Sequence, residues 1–187
     1  MRIIGGNLKN KKLFFSSSTT TRPLRDLVKE SIFNVITHSK LINIKIENSE
    51  VLDLYSGVGS FGIECISREV KRVTFVENNN NSLKFLKKNL KELSIEDKAY
   101  LFSQNINLFI SKIDRKNKFD IFFIDPPFAE NDYIDQLKII RKMKIYKPRH
   151  IVIIHRESRL KEKLNDVTKI LIEKKYGRSK IIFGTFS

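Results

Sequence analysis

Cysteine is nearly missing from this chain. Its 187 residues include one, Cys65, so no internal disulfide can form. The three histidines, His38, His150 and His155, are scattered, and no Cys/His spacing suggests a metal site. Long apolar runs are lacking too. None approaches transmembrane length, and the opening MRIIGGNLKNKK has no apolar signal core. These absences lead us to expect a soluble, cytoplasmic protein that uses neither metal nor membrane. There is no internal repeat, and the length suits one domain, or one domain with a small appendage.

Acidic residues are the other shortage. Against 36 Lys and Arg there are 21 Asp and Glu, a net charge of +15, and the pI is near 9.9. Such an excess favours a polyanionic partner, most simply nucleic acid. An AT-biased composition rich in Lys, Ile, Asn and Phe accounts for part of the lysine excess, but not for where the arginines fall. Hydrophobic residues make up 41% of the chain, enough for a core.

What is present is organised around residues 51–67, VLDLYSGVGSFGIECIS. An apolar strand breaks at Ser56-Gly57-Val58-Gly59, and helical spacing resumes through Phe61, Ile63, Cys65 and Ile66, with Cys65 a small buried hydrophobe. Gly57 to Gly62 fits G-x-G-x-x-G, the pattern of a tight turn whose backbone must approach a ligand. Glu77 follows about 20 residues later, at the end of the next strand, where an acid would grip a ribose hydroxyl pair. A dinucleotide and S-adenosylmethionine share this geometry, and a purely structural turn is the third reading. Asp53 favours S-adenosylmethionine. A carboxylate at the end of the first strand would repel a pyrophosphate but suits a cationic methionine moiety.

The remaining chain is expected to alternate strands and helices. Strands are read at 51–54, 73–76, 99–102, 121–124 and 151–155, and helices at 62–68, 82–93, 106–113 and 133–144. Apolar strands alternating with amphipathic helices imply a parallel sheet covered on both faces. Residues 167–175 and 179–186 read as a closing antiparallel pair around Tyr176-Gly177-Arg178. The whole is an α/β pattern, the Rossmann-like seven-stranded arrangement of S-adenosylmethionine-dependent methyltransferases. Ahead of it, residues 1–20 read as a basic hairpin appendage with a polar linker, and 21–187 as the main domain. The hairpin is either a phosphate-contacting arm or a solvated edge ribbon. A helix follows from Pro23, with Leu24, Leu27, Val28, Ile32, Val35 and Ile36 on one face. The basic residues Arg2, Lys9, Lys11, Lys12, Arg22, Arg25 and Lys29 are the expected nucleic-acid contacts.

A second motif, Asp125-Pro126-Pro127-Phe128, ends the strand Phe119-Asp120-Ile121-Phe122-Phe123-Ile124. Ligands in open α/β sheets bind at the carboxyl ends of strands, so this loop should face the glycine loop. Two prolines fix the backbone and remove two donors while leaving carbonyls as acceptors. Asp125 adds an acceptor and Phe128 a flat apolar face. This suits an exocyclic amine on a planar base, held by Asp125 and a main-chain carbonyl, that of Pro126, and stacked on Phe128. A base in a helix must swing out to reach such a pocket. A rigid turn is the bland alternative.

With these residues in place the chain resembles the RsmD-type bacterial methyltransferases. The match runs through Arg2-Ile3-Ile4-Gly5-Gly6, Arg22-Pro23 with Asp26, Val28, Lys29 and Glu30, and Phe33-Asn34. It continues through VLDLYSGVGSFGIE, Phe75-Val76-Glu77, Asp125-Pro126-Pro127-Phe128 and Tyr176-Gly177-Arg178. The resemblance implies methyl transfer from S-adenosylmethionine to the exocyclic N2 of one guanine in 16S rRNA, the partner being that RNA or a small-subunit assembly intermediate, and the enzyme a monomer. Leu24 and Leu27 stand where the family usually has Thr and Arg, and Glu69 where it has Gly. Asn105 replaces an acid, and its carbonyl can still accept from an adenine amine. Tyr55, Ser56, Asn78 and Ile106 complete the expected cofactor set beside Asp53, Gly57, Gly59, Glu77 and Asn105.

Three rival readings share parts of this pattern. An adenine N6-methyltransferase would use the same two motifs but normally needs a target-recognition region, and residues 129–187 are taken up by the sheet. A protein-glutamine methyltransferase would favour Asn where Asp125 stands. A non-enzymatic RNA-binding module would need the basic surface but not Asp53, Glu77 or Asp125.

Overall fold

The computed structural model describes residues 1–16, 24–160 and 164–186. Seven strands form one sheet: β1 (Glu50–Leu54), β2 (Arg72–Glu77), β3 (Ala99–Ser103), β4 (Phe119–Ile124), β5 (Tyr146–Glu157), β6 (Thr168–Tyr176) and β7 (Ser179–Phe186). Their order is β3-β2-β1-β4-β5-β7-β6. The first five are parallel, and β7 runs antiparallel between β5 and β6. The chain reverses its direction of travel across the sheet between β1 and β4, which opens a crevice at their carboxyl ends.

Burial follows position in the sheet. β1 is buried throughout, as a central parallel strand must be. Val51, Phe75 and Phe123 pack on one face, under α1 (Asp26–His38), α2 (Ser60–Ser67) and α3 (Asn80–Glu92). Leu52, Leu54 and Phe122 pack on the other, under α4 (Ile106–Lys112) and α5 (Tyr133–Met143). Phe61 stacks between Phe33 at 5.5 Å and Phe123 at 4.0 Å, joining α1, α2 and β4. The outer strand β6 exposes Lys169, Lys174 and Lys175, charges that discourage pairing with another chain. Cys65 is fully buried, and burial pushes its thiol well above the ordinary range. No helix among the described residues is long and apolar enough to cross a membrane.

Several boundaries differ from the sequence reading, and three have a clear physical reason. α2 begins at Ser60, because Gly59 already caps it in the left-handed conformation. β5 begins at Tyr146 rather than at 151, across the polar run Lys147-Pro148-Arg149-His150, where pairing with β4 shifts register. At the N-terminus the expected hairpin reduces to a single antiparallel bridge, Arg2 to Lys12. The turn residues consume the ladder there: the Asn10 N–H donates to the Ile3 carbonyl at 2.9 Å.

This N-terminal segment shares the core of the sheet domain, through Ile3 and Leu13. Ser67 Oγ donates to the Gly5 carbonyl and accepts from the Leu8 N–H. Asn89 of α3 accepts from the Phe14 N–H, and its amide donates to the carbonyls of Phe14 and Val58. One side chain thereby ties the N-terminal segment to the glycine loop. Residues 17–23, which hold most of the expected linker, Arg22 and the expected helix start at Pro23, lie outside the described residues.

Candidate active site

The β1–α2 connection forms the first wall. Asp53 is buried, and its Oδ2 accepts the Gly62 N–H at 3.0 Å. Its Oδ1 is buried with no partner among the described residues. Burial pushes this carboxyl well above its ordinary range, the Gly62 N–H opposes the shift, and the charges of Asp125 and Glu77 add to it. Tyr55 and Ser56 follow. The Ser56 hydroxyl donates to the Asp53 carbonyl at 2.6 Å and accepts the Val76 N–H at 2.9 Å, so it staples β1 to β2 while Ser56 lines the cleft. Tyr55 Oη lies 2.6 Å from Glu130 Oε1 and 2.8 Å from Gln136 Oε1. Burial and the Glu130 carboxylate push its phenol far above the ordinary range.

The two loop glycines differ in role. Gly57 has φ 56° and open space where a Cβ would project. Gly59 has φ 84°, and a Cβ there would meet Leu86 Cδ1 at 2.5 Å. Gly59 does not line the cleft. Its expected place among the cofactor contacts is corrected: it turns the backbone and packs on α3. Val58 and Ser60 line the cleft on either side of it, and Ser60 Oγ is a second buried oxygen without a partner among the described residues.

The end of β2 supplies the second wall. Glu77 Oε2 accepts the Gly57 N–H at 2.7 Å. Its Oε1 accepts the N–H groups of Asn78 and Asn79 at 2.8 and 2.7 Å. Three amides thus aim one carboxylate; they fill Oε1 and leave Oε2 one acceptor site. Asn105 and Ile106, after the neighbouring strand β3, belong to the same lining. Asn105 Oδ1 caps α4 by accepting the Leu108 N–H at 2.8 Å, which leaves it one lone pair for a ligand.

The Asp125-Pro126-Pro127-Phe128 loop closes the third side. Asp125 Oδ1 lies 2.8 Å from His155 Nδ1, and His155 Nε2 lies 3.0 Å from Ser179 Oγ. The His155 and Phe128 rings meet edge to face at 5.8 Å. Behind the loop, Arg156 is fully buried over the Tyr133 ring. Its guanidinium donates to the carbonyls of Pro127 and Phe128, both at 3.1 Å, and of Glu130 at 3.2 Å. The carbonyls expected to stay available for a substrate are therefore largely taken. That of Pro126, 3.5 Å from Arg156, is the most weakly held.

These walls enclose a cleft of about 720 Å³. Asp53, Glu77, Asp125, Glu130 and Asp132 line it, and Arg25 is its one lining Lys or Arg among the described residues. In a chain of net charge +15, the cleft itself is acidic. Gln104, Asn79 and Phe15 also line it. Arg2, Lys9, Lys11 and Lys12 are exposed but do not line it, and Arg2 pairs with Asp26. Lys29 is a correction. It is wholly buried against Glu64 and the Arg2 carbonyl and presents no charge to a polyanion. Its helical spacing with Ile32, Phe33 and Ile36 was the available signal. His155, Arg156 and Ser179 went unread, because only the pairing of β5 with β4, and of β7 with β5, brings them to the loop.

Sheet order, glycine loop and strand-end carboxylates together define a Rossmann-like S-adenosylmethionine-dependent methyltransferase fold. A solved structure from Escherichia coli assigned as a methyltransferase matches with a TM-score of 0.84 at 23% identity, covering 100% of this chain and 98% of that one. A Haemophilus influenzae structure assigned as a methylase matches with a TM-score of 0.76 at 29% identity, again covering 100% and 98%. The family model described as Conserved hypothetical protein 95 matches residues 1–185, and the chain belongs to that family. It is also 33% identical over 158 residues to ribosomal RNA small subunit methyltransferase D of Haemophilus influenzae, covering 84% of this chain and 79% of that protein. The RsmD-type resemblance is thereby met.

Proposed function

We propose that this methyltransferase uses S-adenosylmethionine to methylate the exocyclic N2 of a guanine in 16S rRNA, acting as a monomer on the RNA or a small-subunit assembly intermediate. The observation that carries the reading is the sharing of one acidic cleft by Asp53, Glu77 and Asp125. The unpartnered Asp53 Oδ1 and the open side of Gly57 fit a ligand bearing positive charge. A pyrophosphate would meet five carboxylates there.

S-adenosylmethionine, when bound, supplies an electrophilic methyl group. Asp53 balances its cationic end, Glu77 accepts from the ribose hydroxyls, and Asn105 accepts from the adenine amine. Asp125 accepts from the guanine amine and so turns the nitrogen lone pair toward its target, while Phe128 stacks on the flipped base. Arg25 at the cleft, with Arg2, Lys9, Lys11 and Lys12 on the surface and Arg22 in the connecting segment, takes phosphates.

The experiment is tritiated methyl transfer to 16S rRNA, free and in subunits, from cells lacking the gene, followed by digestion to nucleosides. N2-methylguanosine is the expected product. Methyl on adenine N6 would keep the site and discard the guanine assignment, and no transfer to either substrate would discard the enzyme reading. Asp125→Ala should slow turnover by at least about a hundredfold with cofactor affinity little changed.

A further inference from the structure

His155 is nearly enclosed, its side chain 9% exposed, and both ring nitrogens are engaged by groups that line the cleft. An ionised Asp125 can only accept, so the nitrogen facing it, Nδ1, must carry a hydrogen. Ser179 Oγ holds the other nitrogen, Nε2, which completes a hydrogen-bonded chain from Ser179 through the ring to Asp125 Oδ1. The same ring meets Phe128 edge to face. The acceptor and the stacking surface of the substrate loop are therefore both braced by one side chain from the neighbouring strand.

We propose that His155 is a positioning residue for methyl transfer. By donating from Nδ1 to Asp125 Oδ1, with Ser179 anchoring Nε2, it holds the carboxylate so that Oδ2 is left to accept from the substrate amine. By bracing Phe128 it sets the plane on which the base stacks. Such supporting hydrogen bonds matter because a reacting group must be held to within a fraction of an ångström. The inference rests on the methyltransferase reading above.

The test compares His155→Phe, His155→Asn and Ser179→Ala in single-turnover methylation of 16S rRNA, with KM for RNA, calorimetric affinity for S-adenosylmethionine and thermal stability measured in parallel. An asparagine amide can replace the Nδ1–H donor but cannot carry a proton between two nitrogens. His155→Phe should lower the single-turnover rate by about 30- to 100-fold, with KM and cofactor affinity within about twofold. His155→Asn should recover most of that loss, and Ser179→Ala should lose roughly tenfold. A normal rate in His155→Phe would overturn the proposal, as would an Asn variant as slow as Phe at intact cofactor affinity, since the ring would then be moving a proton. Should the Phe variant not fold, the Asn and Ser179→Ala rates decide: both must fall in the stated order. If the unaltered protein methylates no rRNA, the functional reading fails instead.

Discussion

Lys29 Nζ lies 3.5 Å from Glu64 Oε2, and both side chains are wholly sealed from solvent. Burial pulls the Lys29 ammonium below its ordinary range, and the Glu64 charge is the largest influence holding it up. Glu64 also accepts the Ile4 N–H at 2.8 Å and pairs with Arg68 at 3.0 Å. The pair thus sits where α1, α2 and the N-terminal segment meet, and its loss should be felt in folding.

Lys29→Ala leaves Glu64 short of a buried partner and should destabilise the protein by about 3–5 kcal/mol. Urea denaturation measures this. Among molecules that remain folded, the salt dependence of RNA binding should be unchanged. A reduced slope would mean that Lys29 reaches phosphate after all.

Asp53 links stability to ligand binding with opposite signs. Its carboxyl is raised in the folded chain, so the folded state holds its proton more tightly than the unfolded state does. The free protein should lose stability as pH rises from the ordinary carboxylate range through the raised value. Asp53→Asn removes the buried titrating group and keeps an oxygen for the Gly62 N–H. It should raise the free protein's Tm by about 2–8 °C at neutral pH and flatten that pH dependence, while weakening S-adenosylmethionine binding. A lower Tm with unchanged cofactor affinity would remove Asp53 from the cofactor site.

Arg156→Met should leave several loop carbonyls without their buried donor. We expect a stability loss of at least about 3 kcal/mol and, at temperatures where the variant stays folded, a fall in single-turnover rate larger than any change in cofactor affinity. Arg156→Lys should not rescue it, since one ammonium cannot reproduce the guanidinium fork. Denaturation and rapid-quench methylation read the two effects separately.

Replacing Lys9, Lys11 and Lys12 with alanine should weaken RNA binding without touching cofactor affinity. For every phosphate left without its lysine, the slope of log K against log salt should shrink by about 0.7–0.9. Arg25→Ala should do likewise and, being in the cleft lining, should also lower the rate. An unchanged slope in the triple variant would make the N-terminal surface a solvated ribbon.

Much of this arrangement was legible in the sequence because it is local. The apolar strand before Ser56-Gly57-Val58-Gly59, the acid at Glu77 and the prolines after Ile124 are contiguous signals, and parallel α/β topology carries all three to one end of the sheet. The partners of those residues were not legible. His155 finds Asp125, and Asn89 finds Phe14 and Val58, only once strands or helices far apart in sequence are packed together. Helical spacing sets Lys29 beside Ile32, Phe33 and Ile36, but reading it with Arg25 and Asp26 on the polar faces missed that its face is the core. Asn105 was read as a ligand contact because it stands where the resembling family has an acid; it and Ser56 both line the cleft and also spend hydrogen bonds on the backbone that shapes it.

The contrast between an acidic cleft and a basic exterior would act as a sieve on the proposed substrate. On the proposed reading, a polynucleotide would find its phosphates attracted by the exterior and by Arg25, and repelled by the five carboxylates of the lining. An uncharged base can pass where its backbone cannot. Sorting by charge would admit one extruded nucleotide at a time and keep the strand itself out of the chamber.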